Sequence, residues 1–224
     1  MQELPQGLAV SDLTQGFGKV PLAFNWLGCD MGLVSAHKLG GPKGIGALVL
    51  RQGIDVASQM RGGGQEMGRA WYETGKLLHK QNTFTDFIDV TDFLVKEGYA
   101  APYRVAAHGG SAGGLLMGAI SNMAPENYRV ILSQVPFVDV TTTMLDPSIP
   151  LTTNEYDEWG NPEEKIFYDY IVTYSPYDNL HAQAYPAMFI GTGLWDSQVQ
   201  YWEPAKYVAR LRDVNTSSHP LVFR

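Results

Sequence analysis

Residues 104–120, RVAAHGGSAGGLLMGAI, constrain the fold of this chain more than any other stretch. The run YRVAAHG (103–109) has strand character, and AGGLLMGAISNMA (112–124) has helix character. Between them, Gly109-Gly110-Ser111-Ala112-Gly113 matches G-x-S-x-G. A strand that passes into a helix through this pattern presents its serine on a strained turn. Gly109 and Gly113 let strand and helix approach, and Ser111 Oγ is left accessible as a nucleophile. The N–H of Ala112 and the start of the helix are then placed to stabilise an oxyanion.

A nucleophilic serine needs an acid and a base, which in this arrangement follow it in the order Asp or Glu, then His. Asp196, in GLWDSQVQYW, comes just after the strand-like AMFIGTG (187–193), where a triad acid belongs. Only His219 lies downstream of it. His219 precedes Pro220 at the start of the strand-like PLVFR (220–224), whereas a triad histidine belongs beyond the far end of that strand. His108 falls inside the strand before the turn, as a residue packed on a sheet face. His79 and His181 have no motif around them.

The remaining periodicity supports one architecture. GKVPLAF (18–24), MGLVSAH (31–37) and IGALVLR (45–51) read as strands, and RGGGQEMGR (61–69) as a loop. Thr83 and Asp86 have the spacing of a capping box. Phe84, Phe87, Ile88, Leu94 and Val95 then recur at helical intervals until Gly98. YRVILSQVP (128–136) is a buried strand, PEEKIFYDYIVTY (162–174) holds a helix, and PAKYVARLRD (204–213) is a helix with Val208 and Leu211 on one face. The rest of 137–185 reads as loop. Strands alternating with helices from about residue 85 predict an α/β fold with a parallel sheet.

Composition excludes several functions. The net charge is −7 and no basic block is present, so neither nucleic acid nor an anionic membrane surface is an expected partner. No apolar run approaches the roughly 18 residues of a membrane span. The first residues lack the basic-then-apolar order of a signal peptide. Cys29 is the single cysteine, so no disulfide forms within the chain. These features predict a soluble, cytoplasmic protein. No metal site is expected.

Several longer stretches carry a family resemblance. RGGGQEMGRAWYETGKLLHKQNTFTDFIDVTDFLVKEGY, GGSAGGLLMGA, VPFVDVTTTMLDPSIPLTTNEYDEWGNP, YSPYDN and TGLWDSQVQYWEPAKYVARLR resemble the catalytic domain of oligopeptidase B-type serine peptidases, in the prolyl oligopeptidase family. The resemblance covers residues 61–224 and implies an α/β-hydrolase-like sheet that is incomplete here. It implies Ser111 as nucleophile and Asp196 as triad acid. It also implies cleavage of oligopeptides after Arg or Lys, with Glu155 and Asp157, and Glu158 adjacent, as the acids that hold the basic side chain. A carboxylate pairs well with a guanidinium. The family's histidine lies in a GHGG-like loop past the point matching LVFR (221–224), so the resemblance implies weak or absent turnover by these 224 residues.

A second resemblance precedes the first. DLTQGFGKVPL, LGCDMGLVSAHKLGGPKGIGALVLRQG and RGGGQEMGR resemble the cysteine desulfurases, which use pyridoxal phosphate. By that resemblance residues 1–60 are a fragment of an aminotransferase-type large domain. Lys38 would be the Schiff-base lysine, Asp12 would pair with the pyridine nitrogen, and Gln15 would meet the ring hydroxyl. Ser35 and His37 would lie near the phosphate. The family's ring-stacking histidine is Val10 here, and Cys29 does not match its catalytic cysteine. The two resemblances overlap at RGGGQEMGR, which implies a junction near residues 61–69. The hydrolase reading itself needs no cofactor.

Overall fold

The computed structural model describes residues 69–224 and, upstream, the backbone of three short strands. These are β1 (Val10–Asp12), β2 (Met31–Ser35) and β3 (Gly46–Leu50). β1 pairs parallel to β2, and β2 antiparallel to β3. The strand expected at 18–24 and nearly all of the loop at 61–69 lie outside the described residues.

The main body begins with helix α1 (Arg69–Glu73), a turn at Leu77–His79, and the long helix α2 (Gln81–Lys96). Phe84 and Thr91 are the buried residues of α2. Its C-terminus follows the sequence. Gly98, at φ 77°, lets the Tyr99 N–H reach back to the Leu94 carbonyl at 2.9 Å. Its N-terminus does not. The helix starts two residues before Thr83, directly out of the preceding turn, with Lys80 already helical. Thr83 Oγ1 donates to the Gly75 carbonyl instead of capping, and Asp86 lies within the helix.

Four parallel strands follow: β4 (Val105–Gly110), β5 (Tyr128–Gln134), β6 (Ala187–Gly191) and β7 (Leu221–Phe223), in the order β4-β5-β6-β7. Parallel neighbours need a crossover. Helix α3 (Ala112–Met123) makes the first. The second runs through α4 (Val140–Met144), α5 (Tyr156–Trp159) and α6 (Lys165–Val172), so α6 falls within the helix expected at 162–174, and the rest of the segment, expected to be loop, holds two further short helices. Helix α7 (Trp202–Val214) makes the third. This is the expected α/β architecture, with a small separately paired sheet upstream whose strand β1 approaches β4.

Two apolar clusters share α3. Met117 and Ile120 pack with Ala107, Ile131, Met188, Ile190, Val208 and Leu211 from the sheet and α7. Leu115 and Ala119 pack with Phe84, Phe137, Val140, Trp159, Ile171 and Val199. Helix α3 is therefore wedged between sheet and outer helices, which is why its sequence is small and apolar all round. Among the described residues no helix is long and apolar enough to cross a membrane.

Candidate active site

Ser111 is the single residue between β4 and α3, and its backbone sits at φ 57°, ψ −120°. A positive φ on a residue with a β-carbon costs about 1–2 kcal/mol and persists only where the surroundings enforce it. Here every neighbour does. The Ser111 N–H donates to the Gln134 carbonyl at 3.0 Å, and the Ser111 carbonyl accepts from Gly114, Leu115 and Phe137 N–H at 2.8, 3.1 and 3.1 Å. A β-carbon on Gly109 would fall on the Gly113 peptide, 2.7 Å from its carbonyl carbon. One on Gly114 would stand 2.5 Å from Pro136 Cα. Gly109 of the motif is thus required by contact between strand and helix backbones, and Gly114, just past it, by the loop after β5. Ala112 is the first residue of α3, and its N–H is one of those a helix start leaves without an intrahelical acceptor.

The strand ends are aligned. Gly110 pairs with Gln134, and Gln134 with Gly191, so Ser111, Val135 and Thr192 come next along one edge of the sheet. Ligand crevices in such sheets lie outside the carboxyl ends of the strands. Val135 is also held at positive φ, 41°, while its N–H donates to the Gly191 carbonyl at 2.7 Å. Sequence reasoning did not find this residue, because nothing in VPF marks a strained valine.

Asp196 lies five residues past β6, at the same edge. Its Oδ1 accepts from Gln198 and Val199 N–H at 2.8 and 2.9 Å, which fixes the carboxylate. Among the described residues Oδ2 has no partner and can orient an imidazole.

No described histidine stands at that edge by the topology. His108 pairs in register with Leu132, and Leu132 with Phe189, on the sheet face opposite buried Ala107. His219 precedes β7, and its Nδ1 lies 2.9 Å from the Tyr185 carbonyl, before the start of β6. It lies five positions before Arg224, or about 16 Å of extended chain. His181 is near the same end, beside the Tyr185 hydroxyl. His79 is exposed at the turn before α2.

The acidic segment separates into three environments. Glu155 Oε2 accepts from Trp159 Nε1 at 3.2 Å. Asp157 is exposed on α5. Glu158 is committed to the fold: Lys80 Nζ donates to its Oε1 at 2.6 Å while lying 4.3 Å over the Trp159 ring. Tyr72 bonds Glu158 as well, and burial together with that carboxylate pushes its phenol well above the ordinary range. Buried Trp159 meets Phe137 edge-on at 5.5 Å, and Phe137 N–H holds the Ser111 carbonyl. The acidic helix and the turn at Ser111 therefore rest on the same loop. Lys80 and Phe137 had no sequence signal, since Lys80 and Glu158 are 78 residues apart.

Gln15, His37 and Lys38, assigned by resemblance to pyridoxal phosphate, lie outside the described residues. Asp12 and Ser35 end β1 and β2. Among the described residues no group of three His, Cys, Asp or Glu gathers to hold a metal.

The family model described as "Prolyl oligopeptidase family" matches residues 46–224, and that described as "Aminotransferase class-V" matches residues 5–84. Dipeptidyl aminopeptidase BI of Pseudoxanthomonas mexicana is 78% identical over 176 residues, which are 79% of this chain and 24% of that protein. The structure of oligopeptidase B from Leishmania major superposes with a TM-score of 0.77 at 43% identity, covering 99% of this chain and 28% of that one. Oligopeptidase B from Trypanosoma brucei, solved with covalently bound antipain, gives a TM-score of 0.70 at 53% identity, over 72% of this chain and 23% of that one. The chain thus spans about a quarter of the length of the relatives it matches.

Proposed function

The chain belongs to the prolyl oligopeptidase family, and from that premise we propose that it carries the catalytic site of a serine peptidase of oligopeptidase B type. The observation that carries the proposal is the strained Ser111 between β4 and α3, with Asp196 fixed at the same sheet edge. Ser111 Oγ attacks the scissile carbonyl and passes its proton to a histidine. The oxyanion of the tetrahedral intermediate accepts from the Ala112 N–H. Collapse expels the leaving amine, protonated by the same histidine, and water then hydrolyses the acyl-enzyme. Asp196 Oδ2 orients the imidazole and stabilises its charged form. No step calls on a cofactor.

The substrates are oligopeptides with Arg or Lys before the cleaved bond. Glu155 and Asp157 supply the negative charge, and Glu158 holds α5 in place through Lys80. Alternate residues on a helix do not face each other, so Glu155 and Asp157 contact the cation from different sides or serve different residues of the peptide. The 78% identity to a dipeptidyl aminopeptidase favours a second reading, in which the site releases dipeptides from free N-termini.

None of the four described histidines stands at this sheet edge, and slow turnover by the 224-residue chain is part of this reading. The test is hydrolysis of an N-blocked arginyl anilide, with added imidazole standing in for the base. Slow, Arg-selective release that rises with imidazole and falls to background in Ser111→Ala is expected. Fast release without imidazole would contradict the assignment of the base. An equal rate in Ser111→Ala would contradict the nucleophile. Cleavage confined to unblocked dipeptidyl substrates would select the second reading.

A further inference from the structure

Glu203, in the first turn of α7, is completely buried, yet the proposed reaction does not use it. A carboxyl group in such a place needs a compensating reason. Its Oε2 accepts from the backbone N–H groups of Val138 and Asp139, both at 3.1 Å, and its Oε1 accepts from the Thr143 hydroxyl at 2.5 Å. Beside it, buried Asp139 is paired with Lys206 Nζ, which also lies 4.5 Å over the Tyr177 ring. The Tyr177 N–H donates to the Val138 carbonyl at 2.9 Å, so residues 138–139 are gripped from both sides.

This grip falls between three parts of the site. Phe137, one residue upstream, holds the Ser111 carbonyl through its N–H and packs its ring on Trp159, the donor to Glu155. Glu203 itself follows Asp196 by seven residues. The stretch between them is anchored by Val199, whose N–H donates to Asp196 and whose side chain joins the cluster of Phe137 and Trp159. Nucleophile, acid and acidic helix meet at residues 137–139, and Glu203 is the buried group that fixes those residues to the acid's own segment.

We propose that Glu203 is a positioning residue that holds the loop 137–139 against α7, and through it sets the placement of Ser111 relative to Asp196 and Glu155. The inference rests on the peptidase reading for what the placement is used for, but the brace itself is a property of the fold. Burial pushes the Glu203 carboxyl up to about 7, with Asp139 adding to the effect and the three donors opposing it. Near neutral pH it therefore switches between an acceptor at both oxygens and a neutral acid that has one donor of its own. The charged groups around it are Asp139 and Lys206, with Asp178, which accepts from Thr141, and Arg210 over Tyr177 behind them.

The test uses the 224-residue chain, its Glu203→Gln variant, amide exchange by NMR, and labelling of Ser111 by an arginyl phosphonate. In Glu203→Gln the amides of residues 137–139 should exchange about tenfold faster while that of Ile131 is unchanged. Labelling per folded molecule should fall about tenfold at pH 8, with the gap closing near pH 5, where the wild-type carboxyl is protonated. Unchanged exchange at 137–139, or faster exchange there with labelling unaffected at both pH values, would overturn the proposal. Should the variant not fold, the wild-type titration decides. The amides of Ser111, Phe137, Val138 and Asp139 must then shift with one common midpoint, and a shift confined to Val138 and Asp139 would overturn it. A wild-type chain that is not labelled at any pH with imidazole present would contradict the peptidase reading, while exchange at 137–139 would still decide the brace.

Discussion

Gly109→Ala will lower the unfolding free energy by about 3 kcal/mol, the upper range for forcing an extra carbon into a packed site. The added β-carbon meets the Gly113 peptide, which is backbone at the first turn of α3 and has no rotamer to give. The only relief is to slide α3 away from β4, and α3 is the element both apolar clusters share. Gly98→Ala is the control. A β-carbon there meets nothing within 4 Å, so only the positive φ of 77° is charged against it, about 1 kcal/mol. Urea midpoints for the two variants measure the difference. Equal losses would contradict the close strand–helix contact that defines the turn.

The second large effect is on the pH dependence of stability. The Glu203 carboxyl titrates near 4.5 when unfolded and at about 7 in the fold. Between these values the folded chain holds a proton the unfolded chain has released, so raising the pH favours unfolding. The contribution is fully present below pH 4.5 and is lost as pH rises through about 7, by about 3 kcal/mol in all. Glu73, held below its ordinary value by Lys76 and Arg69, and Asp146, held down by Ser148, act in the opposite sense, losing their contributions as pH falls below their ordinary values. The two windows are separate. Unfolding midpoints at pH 5 and pH 8 should therefore differ in the wild type and converge in Glu203→Gln. An unchanged difference in the variant would contradict the burial of a titrating carboxyl at this position. The brace is thus in its strongest acceptor form under conditions where it stabilises the fold least, a tension expected of a group retained for the site.

The parts of this site that sequence reasoning reached are those whose signal is local. The turn at Ser111 is readable because strand, glycines and helix occupy consecutive residues, and Gly109 meets the Gly113 peptide within the same stretch. Asp196 is a candidate from chain order and lies five residues past β6, while His108 lies within β4 and His219 just before β7, away from the carboxyl ends of the strands. Glu155 and Asp157 came only through family resemblance, because an acidic turn alone has no distinguishing pattern. The start of α2 was misplaced because the turn before it, packed by Tyr170 hydroxyl on the Gln81 N–H, supplies the first helical geometry that Thr83 was expected to supply. Lys80, Val135, Phe137 and Glu203 were invisible for a common reason. Each acts on a residue distant in sequence or through backbone geometry that no residue type announces.

The central claim, that Ser111 is a nucleophile beside an acidic specificity site, is tested most directly by mass spectrometry of the chain after reaction with an arginyl diphenyl phosphonate. The account predicts one adduct, located on Ser111, formed faster than with the alanyl analogue and slowed by Glu155→Gln with Asp157→Asn. An adduct on any other residue, or a folded chain that forms none in the presence of imidazole, would contradict it.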